Sequence, residues 1–90
     1  MPVKRCTLRD VHSLAGFYDE LARQLAFPAH FGRNLDALWD VLTGEVEGPF
    51  EIIWEDIDLA REGLGTDSDR LIVLLEEVAA EREDFTFIRQ

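Results

Sequence analysis

Apolar residues recur at helical spacing in three segments of this chain. The second segment is the clearest, because its apolar positions fall at i, i+3, i+4 and i+7 and give one side of a helix a continuous stripe. Asn34 is a good N-cap for this helix, and Gly44 is expected to end it as the C′ residue. The three predicted stripes are Leu14, Phe17, Leu21 and Leu25; Leu35, Leu38, Trp39 and Leu42; and Leu71, Leu74, Leu75 and Val78, and a brief further helix is predicted over Ile57, Leu59 and Ala60.

Three short segments have the composition of strands, namely residues 3–8, 50–54 and 85–88. The middle one is largely apolar, which favours a central strand covered on both faces. Strands separated by helical segments predict a small α/β fold with a parallel sheet. A chain of 90 residues is long enough to bury a modest core, so we expect one domain over residues 1–90.

The charge of the chain is strongly negative and unevenly distributed. Nineteen acidic residues stand against nine basic ones, and residues 34–84 hold sixteen of the acids with three of the bases. This balance argues against nucleic acid as a partner, because binding phosphates requires clustered Lys and Arg. It favours a basic protein partner, although solubility alone is an alternative explanation. Cys6 is the single cysteine, and no secretory signal or membrane-spanning run is visible, so we expect a cytoplasmic protein with no membrane partner.

Two carboxylates on the second helix stand out by their spacing. Asp36 and Asp40 lie one turn apart, where like charges cost a helix roughly 0.2–0.5 kcal/mol. The helix dipole stabilises Asp36 in the first turn, but Asp40 lacks both that position and a cation at i±4. The pair indicates negative charge directed at something outside the chain, with an ordinary solvated face as the alternative. Glu77 and Glu81 repeat the spacing on the last helix, where nearby arginines favour the solvated face.

Evidence for catalytic chemistry is weak. Neither His12 nor His30 has a serine, cysteine or metal-ligand partner at motif spacing, and no phosphate-binding loop accompanies the carboxylates. Gly32 is expected to be a turn residue with positive φ, and Trp39 is expected to lie in the core. We therefore expect a protein that is not an enzyme and that uses no cofactor or metal.

The segment Phe31-Gly32-Arg33-Asn34-Leu35-Asp36-Ala37-Leu38-Trp39-Asp40, followed by Leu42-Thr43-Gly44, closely resembles the barstar family of intracellular inhibitors of the ribonuclease barnase. The resemblance covers nearly the whole chain, in the order and length of its elements. It implies an α/β fold with a three-stranded parallel sheet and about four helices. It also implies a monomer that forms a 1:1 complex with a small, basic, guanyl-specific microbial ribonuclease of the extracellular type.

The same resemblance implies how such a ribonuclease is blocked. The second helix and the loop before it would enter the substrate cleft, with Asp40 where the scissile phosphate binds and Asp36 as a second acidic contact. The partner-binding residues carried over in this way are His30, Gly32, Asn34, Asp36, Trp39, Asp40, Thr43, Gly44, Glu77 and Glu81.

Three positions depart from the family's pattern. His30 stands where barstar has an aromatic residue, Arg33 replaces an acid, and Glu45 replaces a tryptophan. Arg33 adds a positive charge beside a surface meant for a basic enzyme, which indicates a specificity device against the wrong nuclease. The alternative function is a barstar-fold interaction or immunity module that binds another basic protein or a nuclease toxin.

Overall fold

Two helices separate each strand from the next in a computed structural model that describes residues 3–90. The elements are β1 (Lys4–Leu8), α1 (Leu14–Leu25), α2 (Leu35–Gly44), β2 (Phe50–Trp54), α3 (Ile57–Leu64), α4 (Thr66–Glu81) and β3 (Phe85–Arg89). The strands form one parallel sheet in the order β1-β2-β3. This architecture confirms the predicted α/β class with a three-stranded parallel sheet and four helices.

The central strand β2 buries alternate residues only. Phe50, Ile52 and Trp54 are buried, whereas Glu51 and Ile53 between them are half-buried. The prediction of a strand covered on both faces was therefore wrong. A run of apolar residues suggests two buried faces, but here Glu51 pairs with the exposed side chain of Arg5, and the second face of the sheet stays partly open.

The core lies between the buried face of the sheet and the apolar stripes of the helices. Helix α1 packs against β1 and α4 against β3, while α2 and α3 both pack against α4. The largest side chains that are fully buried are Trp54, Phe17, Phe50, Leu8, Leu21, Leu38, Leu42, Ile52, Leu71 and Leu75.

The two ends of α2 differ in how they are capped. Asn34 has extended backbone angles, and its side chain accepts a hydrogen bond from the backbone N–H of Ala37 at 2.8 Å, as the N-cap prediction requires. Gly44 does not end the helix as a C′ residue, so that prediction was wrong. It is the last helical residue, and Glu45 follows as the C-cap with right-handed helical angles. None of the helices in residues 3–90 combines the length and apolar character needed to cross a membrane.

Candidate partner-binding surface

Helix α2 separates apolar and acidic residues onto different sides. Leu38, Val41 and Leu42 are buried, and Trp39 is half-buried and packs against the core. Asp36 and Asp40 are exposed on the opposite side, one turn apart, and we call this pair the acidic ridge. The helix that carries the ridge is short, but its apolar stripe is anchored in the core, so the carboxylates are presented from a rigid support.

No cation within residues 3–90 neutralises the acidic ridge. Asp36 and Asp40 make no side-chain hydrogen bond and no ion pair there. Each of the eight arginines instead has another carboxylate at 3.9 Å or less. The helix itself contains no basic residue. No ion pair within residues 3–90 thus offsets the repulsion between the two aspartates, and a cationic partner would relieve it.

Helix α4 adds a second pair of free carboxylates. Glu77 and Glu81 are exposed and unpaired within the described chain. The arginines that lie near them in sequence have other partners, since Arg70 contacts Asp67 at 3.9 Å and Arg82 contacts Asp84 at 2.8 Å. From the sequence, nearby arginines favoured an ordinary solvated face for Glu77 and Glu81. The structure does not support that argument, because those arginines pair with other carboxylates. Helix α4 packs against α2, so these charges lie on the helix next to the one that carries the ridge.

The turn before α2 is closed by Asn34 and not by a glycine with positive φ. The left-handed residue is Arg33, with φ of 54°, so the expectation for Gly32 was wrong. Asn34 explains the difference, because its side-chain amide donates to the carbonyl of Gly32 at 3.2 Å while its oxygen caps Ala37. A Cβ on Gly32 would come within 3.3 Å of the Cβ of Ala37, so glycine permits the loop to approach the helix closely.

A groove of about 510 Å³ opens between this loop and α2. It is lined by His30, Phe31, Gly32, Ala37, Asp40, Val41 and Glu45. Three residues proposed from the resemblance therefore share one concave surface, namely His30, Gly32 and Asp40. With an apolar wall and two carboxylates, the groove has the chemistry to hold a planar or cationic side chain of a partner.

Glu45 was absent from the set of expected contacts, yet it lines the groove. Its carboxylate lies 3.8 Å from Nε2 of His30, across the opening from the loop. Two of the three departures from the family pattern, His30 and Glu45, thus meet at the same place. The distance between positions 30 and 45 in the sequence hid this juxtaposition, since no short motif links a loop residue with a helix C-cap.

Thr43 and Gly44 are the two expected contacts at the C-terminal end of α2. The hydroxyl of Thr43 donates to the carbonyl of Trp39 at 2.7 Å, which leaves its oxygen available as an acceptor. Gly44 is exposed beyond it. These residues continue the surface of α2 toward its C-terminal end, one turn past the ridge.

A second cleft, of about 450 Å³, lies beside Asp36. Its floor is apolar, and its rim carries Arg33, Asp36, Asp67 and Arg70. Tyr18 in this cleft has a raised pKa, mainly because of burial and secondarily because of the nearby charge of Asp67. The ridge thus stands between two concave surfaces, and only the groove beside Asp40 lacks a basic residue other than histidine.

The described residues contain no group of three or more His, Cys, Asp or Glu side chains arranged to hold a metal ion. The one thiol, that of Cys6, is fully buried, and burial raises its pKa to about 12. What this surface presents to a partner is therefore fixed negative charge beside a groove.

Comparisons with known proteins match the chain to a family and to a curated relative. Residues 1–89 match the family model described as Barstar (barnase inhibitor). The chain is also 36% identical over 76 residues to a protein of Bacillus subtilis (strain 168) named "Putative ribonuclease inhibitor YrdF", and the match covers 84% of each chain.

Proposed function

Because the chain belongs to the barstar family, we propose that it inhibits a small basic ribonuclease of the barnase type. Helix α2 and the loop before it would cover the active site in a 1:1 complex. The similarity of the chain to a relative whose name describes a ribonuclease inhibitor also supports a ribonuclease as the target. The proposed mechanism is a steric and electrostatic block that needs no bond-making step.

The observation that carries the proposal is that Asp40 is exposed and unpaired within the described residues. Its carboxylate is exposed, has no partner within residues 3–90 and stands at the side of the groove. A ribonuclease active site binds phosphate through arginine and histidine side chains, so a carboxylate held on a helix can occupy that anion site with little loss of conformational entropy. Asp36 would take a second cation one turn away.

The surroundings of Asp40 support the same orientation of the complex. Glu77 and Glu81 on the neighbouring helix add negative charge, which favours association with a basic enzyme. The groove provides space for a side chain of the enzyme next to Asp40. Gly32 allows the loop to lie close to α2 at this point. His30, Trp39, Thr43 and Gly44 would complete the contact surface around this centre.

The test is inhibition of a purified barnase-type ribonuclease by the purified protein and by three variants. Asp40→Ala is expected to weaken binding by roughly thirtyfold or more, because truncating one member of a buried charge pair costs about 2–5 kcal/mol. Asp40→Asn keeps the shape of the side chain and separates loss of charge from loss of packing. Glu62→Ala on α3 is the matched control, since Glu62 is exposed and unpaired within the described residues.

Three outcomes would contradict the proposal. The protein fails to inhibit any ribonuclease of this type, or Asp40→Ala and Glu62→Ala have the same negligible effect. The third is capture of a basic protein other than a nuclease as the tightest partner, which would favour an interaction module. Turnover of RNA by the isolated chain would contradict the expectation that it is not an enzyme.

A further inference from the structure

Arg82 follows α4, but its guanidinium is directed at α2. Its backbone N–H closes α4 on the carbonyl of Val78 at 2.9 Å. Nη1 then donates to the carbonyls of Leu42 at 2.8 Å and Val46 at 2.7 Å, which belong to the end of α2 and the turn after it. The side chain is only 15% exposed, so these are contacts of a largely desolvated cation.

The end of α2 needs such a cation for two reasons. The carbonyl of Leu42 has no helical donor, because the N–H of Val46 bonds to Val41 instead. The last turn contains no basic residue, and Glu45 at the C-cap has the wrong sign for the helix dipole. Arg82 supplies from α4 both the missing donor and the missing positive charge.

The guanidinium is held in place by two further contacts. Asp84 accepts from Nε and from Nη2, each at 2.8 Å, in a bidentate pair that fixes the plane of the group. The centre of the guanidinium also lies 4.8 Å from the ring centroid of Phe50 at the start of β2. One side chain therefore connects α2, α4, the start of β2 and the turn before β3.

We propose that Arg82 is a positioning residue for partner binding. It fixes the C-terminal turn of α2, and with it Thr43, Gly44 and Glu45, so that the groove beside Asp40 keeps one shape. Arg82 would do this without meeting the partner, because its donors are already directed at Leu42, Val46 and Asp84. The inference rests on the proposed function, since it concerns the surface that would bind the ribonuclease.

The physical argument concerns preorganisation. A helix end that frays must be ordered again when a partner binds, and that ordering subtracts from the affinity. Losing the cap should therefore raise the dissociation rate, while the association rate stays the same or rises slightly because a positive charge has been removed from an acidic protein.

The experiment compares Arg82→Ala, Arg82→Lys and Asp84→Asn with Arg9→Ala. Arg9 is the matched control, because it pairs with one carboxylate, that of Glu55, at the edge of the sheet. Two quantities are measured: amide hydrogen exchange at Glu45 and Val46 in the free protein, and the dissociation rate from a barnase-type ribonuclease. Arg82→Ala should raise both by about tenfold or more.

The conservative variants separate positioning from general destabilisation. Arg82→Lys keeps the charge, but its ammonium has three N–H donors and cannot replace all four hydrogen bonds of the guanidinium, so it should give an intermediate increase in both quantities. Asp84→Asn should do the same by weakening the orientation of the guanidinium. Arg9→Ala should change neither. If Arg82→Ala does not fold, these two conservative variants carry the test.

Unchanged exchange at Glu45 and Val46 in the Arg82 variants would overturn the proposal, whatever the binding data. Faster exchange with an unchanged dissociation rate would also overturn it, because the binding surface would then not depend on the cap. If the wild-type protein binds no ribonuclease, the proposed function fails and this inference fails with it. That result is distinguishable from tight wild-type binding with unaffected Arg82 variants.

Discussion

Arg33 and Asp19 join the loop before α2 to helix α1. Nη1 of Arg33 lies 2.7 Å from Oδ1 of Asp19, and Nη2 donates to the carbonyl of Ala15 at 3.2 Å. The guanidinium also lies 5.9 Å from the ring centroid of Tyr18. The positive charge that the sequence places beside the acidic ridge is thus directed at α1. In this position Arg33 acts as a support for the loop.

We predict that Arg33→Ala weakens ribonuclease binding by up to about fivefold, because the loop that forms one wall of the groove loses its attachment. The expected loss of affinity is small because the ion pair between Arg33 and Asp19 is exposed, and exposed ion pairs contribute about 0.2–1 kcal/mol. Asp19→Ala should give a similar loss, and the double variant should lose less than the sum of the two. The measurement is a double-mutant cycle on the dissociation constant. Tighter binding by Arg33→Ala would support the interpretation of Arg33 as a specificity device instead.

Most of the fold follows from local patterns. The stripes of α1, α2 and α4 each occupy one side of a helix, and such periodicity is the strongest signal a single sequence contains. The partial exposure of the second face of the sheet cannot be predicted from such local periodicity. Isoleucine is a residue type that is usually buried. How far Ile53 is buried depends, however, on what lies beside it in the sheet, where its register partners are Thr7 on β1 and Ile88 on β3.

The candidate site could be predicted in part, for a similar reason. The spacing of Asp36 and Asp40 indicates two adjacent charges, but whether they are free depends on where distant arginines are directed. Arg82 reaches Leu42 across 40 positions, and no spacing rule anticipates such a contact. The left-handed turn at Arg33 was missed because the side chain of its neighbour Asn34, and not a glycine, closes that turn.

The outer edge of the sheet yields a prediction about stability. Gln24 on α1 donates to the carbonyl of Thr7 at 2.9 Å and accepts from the N–H of Thr7 at 3.0 Å, as a neighbouring strand would. Gln24→Ala leaves both backbone groups of this edge position unpaired, so it should lower the free energy of unfolding by about 1–3 kcal/mol. It should also promote self-association, because an unprotected edge can pair with another chain. Denaturant unfolding and light scattering measure the two effects.

The control for the edge is Arg23→Ala, one position away on α1. Arg23 is exposed, and within residues 3–90 it forms an ion pair with Glu20 on the same helix and with no other residue. It should cost at most a fraction of the loss seen for Gln24→Ala. Equal losses in the two variants would show that the contact with Thr7 has no special role in stability.

Acidification should destabilise the protein partly through Asp84. Hydrogen bonds from Arg82 hold the pKa of this carboxyl below its ordinary value. A carboxyl whose pKa is lower in the folded than in the unfolded state contributes stability at higher pH and loses it as the pH falls through the folded-state value. We expect melting temperatures to drop below about pH 4, and Asp84→Asn to reduce the slope of that drop. Glu62→Gln is the control and should leave the slope nearly unchanged, and an equal effect of both would contradict the prediction.

Cys6 is expected to be unreactive in the folded protein. Its side chain is fully buried, and burial, with a smaller contribution from the charge of Glu20, raises the pKa of the thiol to about 12. Since only the thiolate attacks disulfide reagents, modification at pH 8 should be slow and should follow the rate of opening. Denaturant should restore the reactivity of an ordinary cysteine. Rapid stoichiometric labelling of the native protein would contradict the burial of this residue.

Association with a basic ribonuclease should depend on salt mainly through the acidic ridge. The Debye length is about 10 Å at 0.1 M salt, so raising ionic strength should slow association by screening charges that attract the enzyme over distance. The double variant Asp36→Asn with Asp40→Asn removes the two charges nearest the proposed contact. We expect it to lower the association rate at low salt and to flatten its dependence on salt.

The control must change the net charge equally at a different place. Asp56→Asn with Glu62→Gln does so at the start and on the outer side of α3, where both side chains are exposed and unpaired within residues 3–90. If the ridge steers the enzyme, this control keeps most of the salt dependence, because local potential at the contact outweighs distant charge. If both double variants flatten the dependence equally, the net charge alone drives association and the ridge has no steering role.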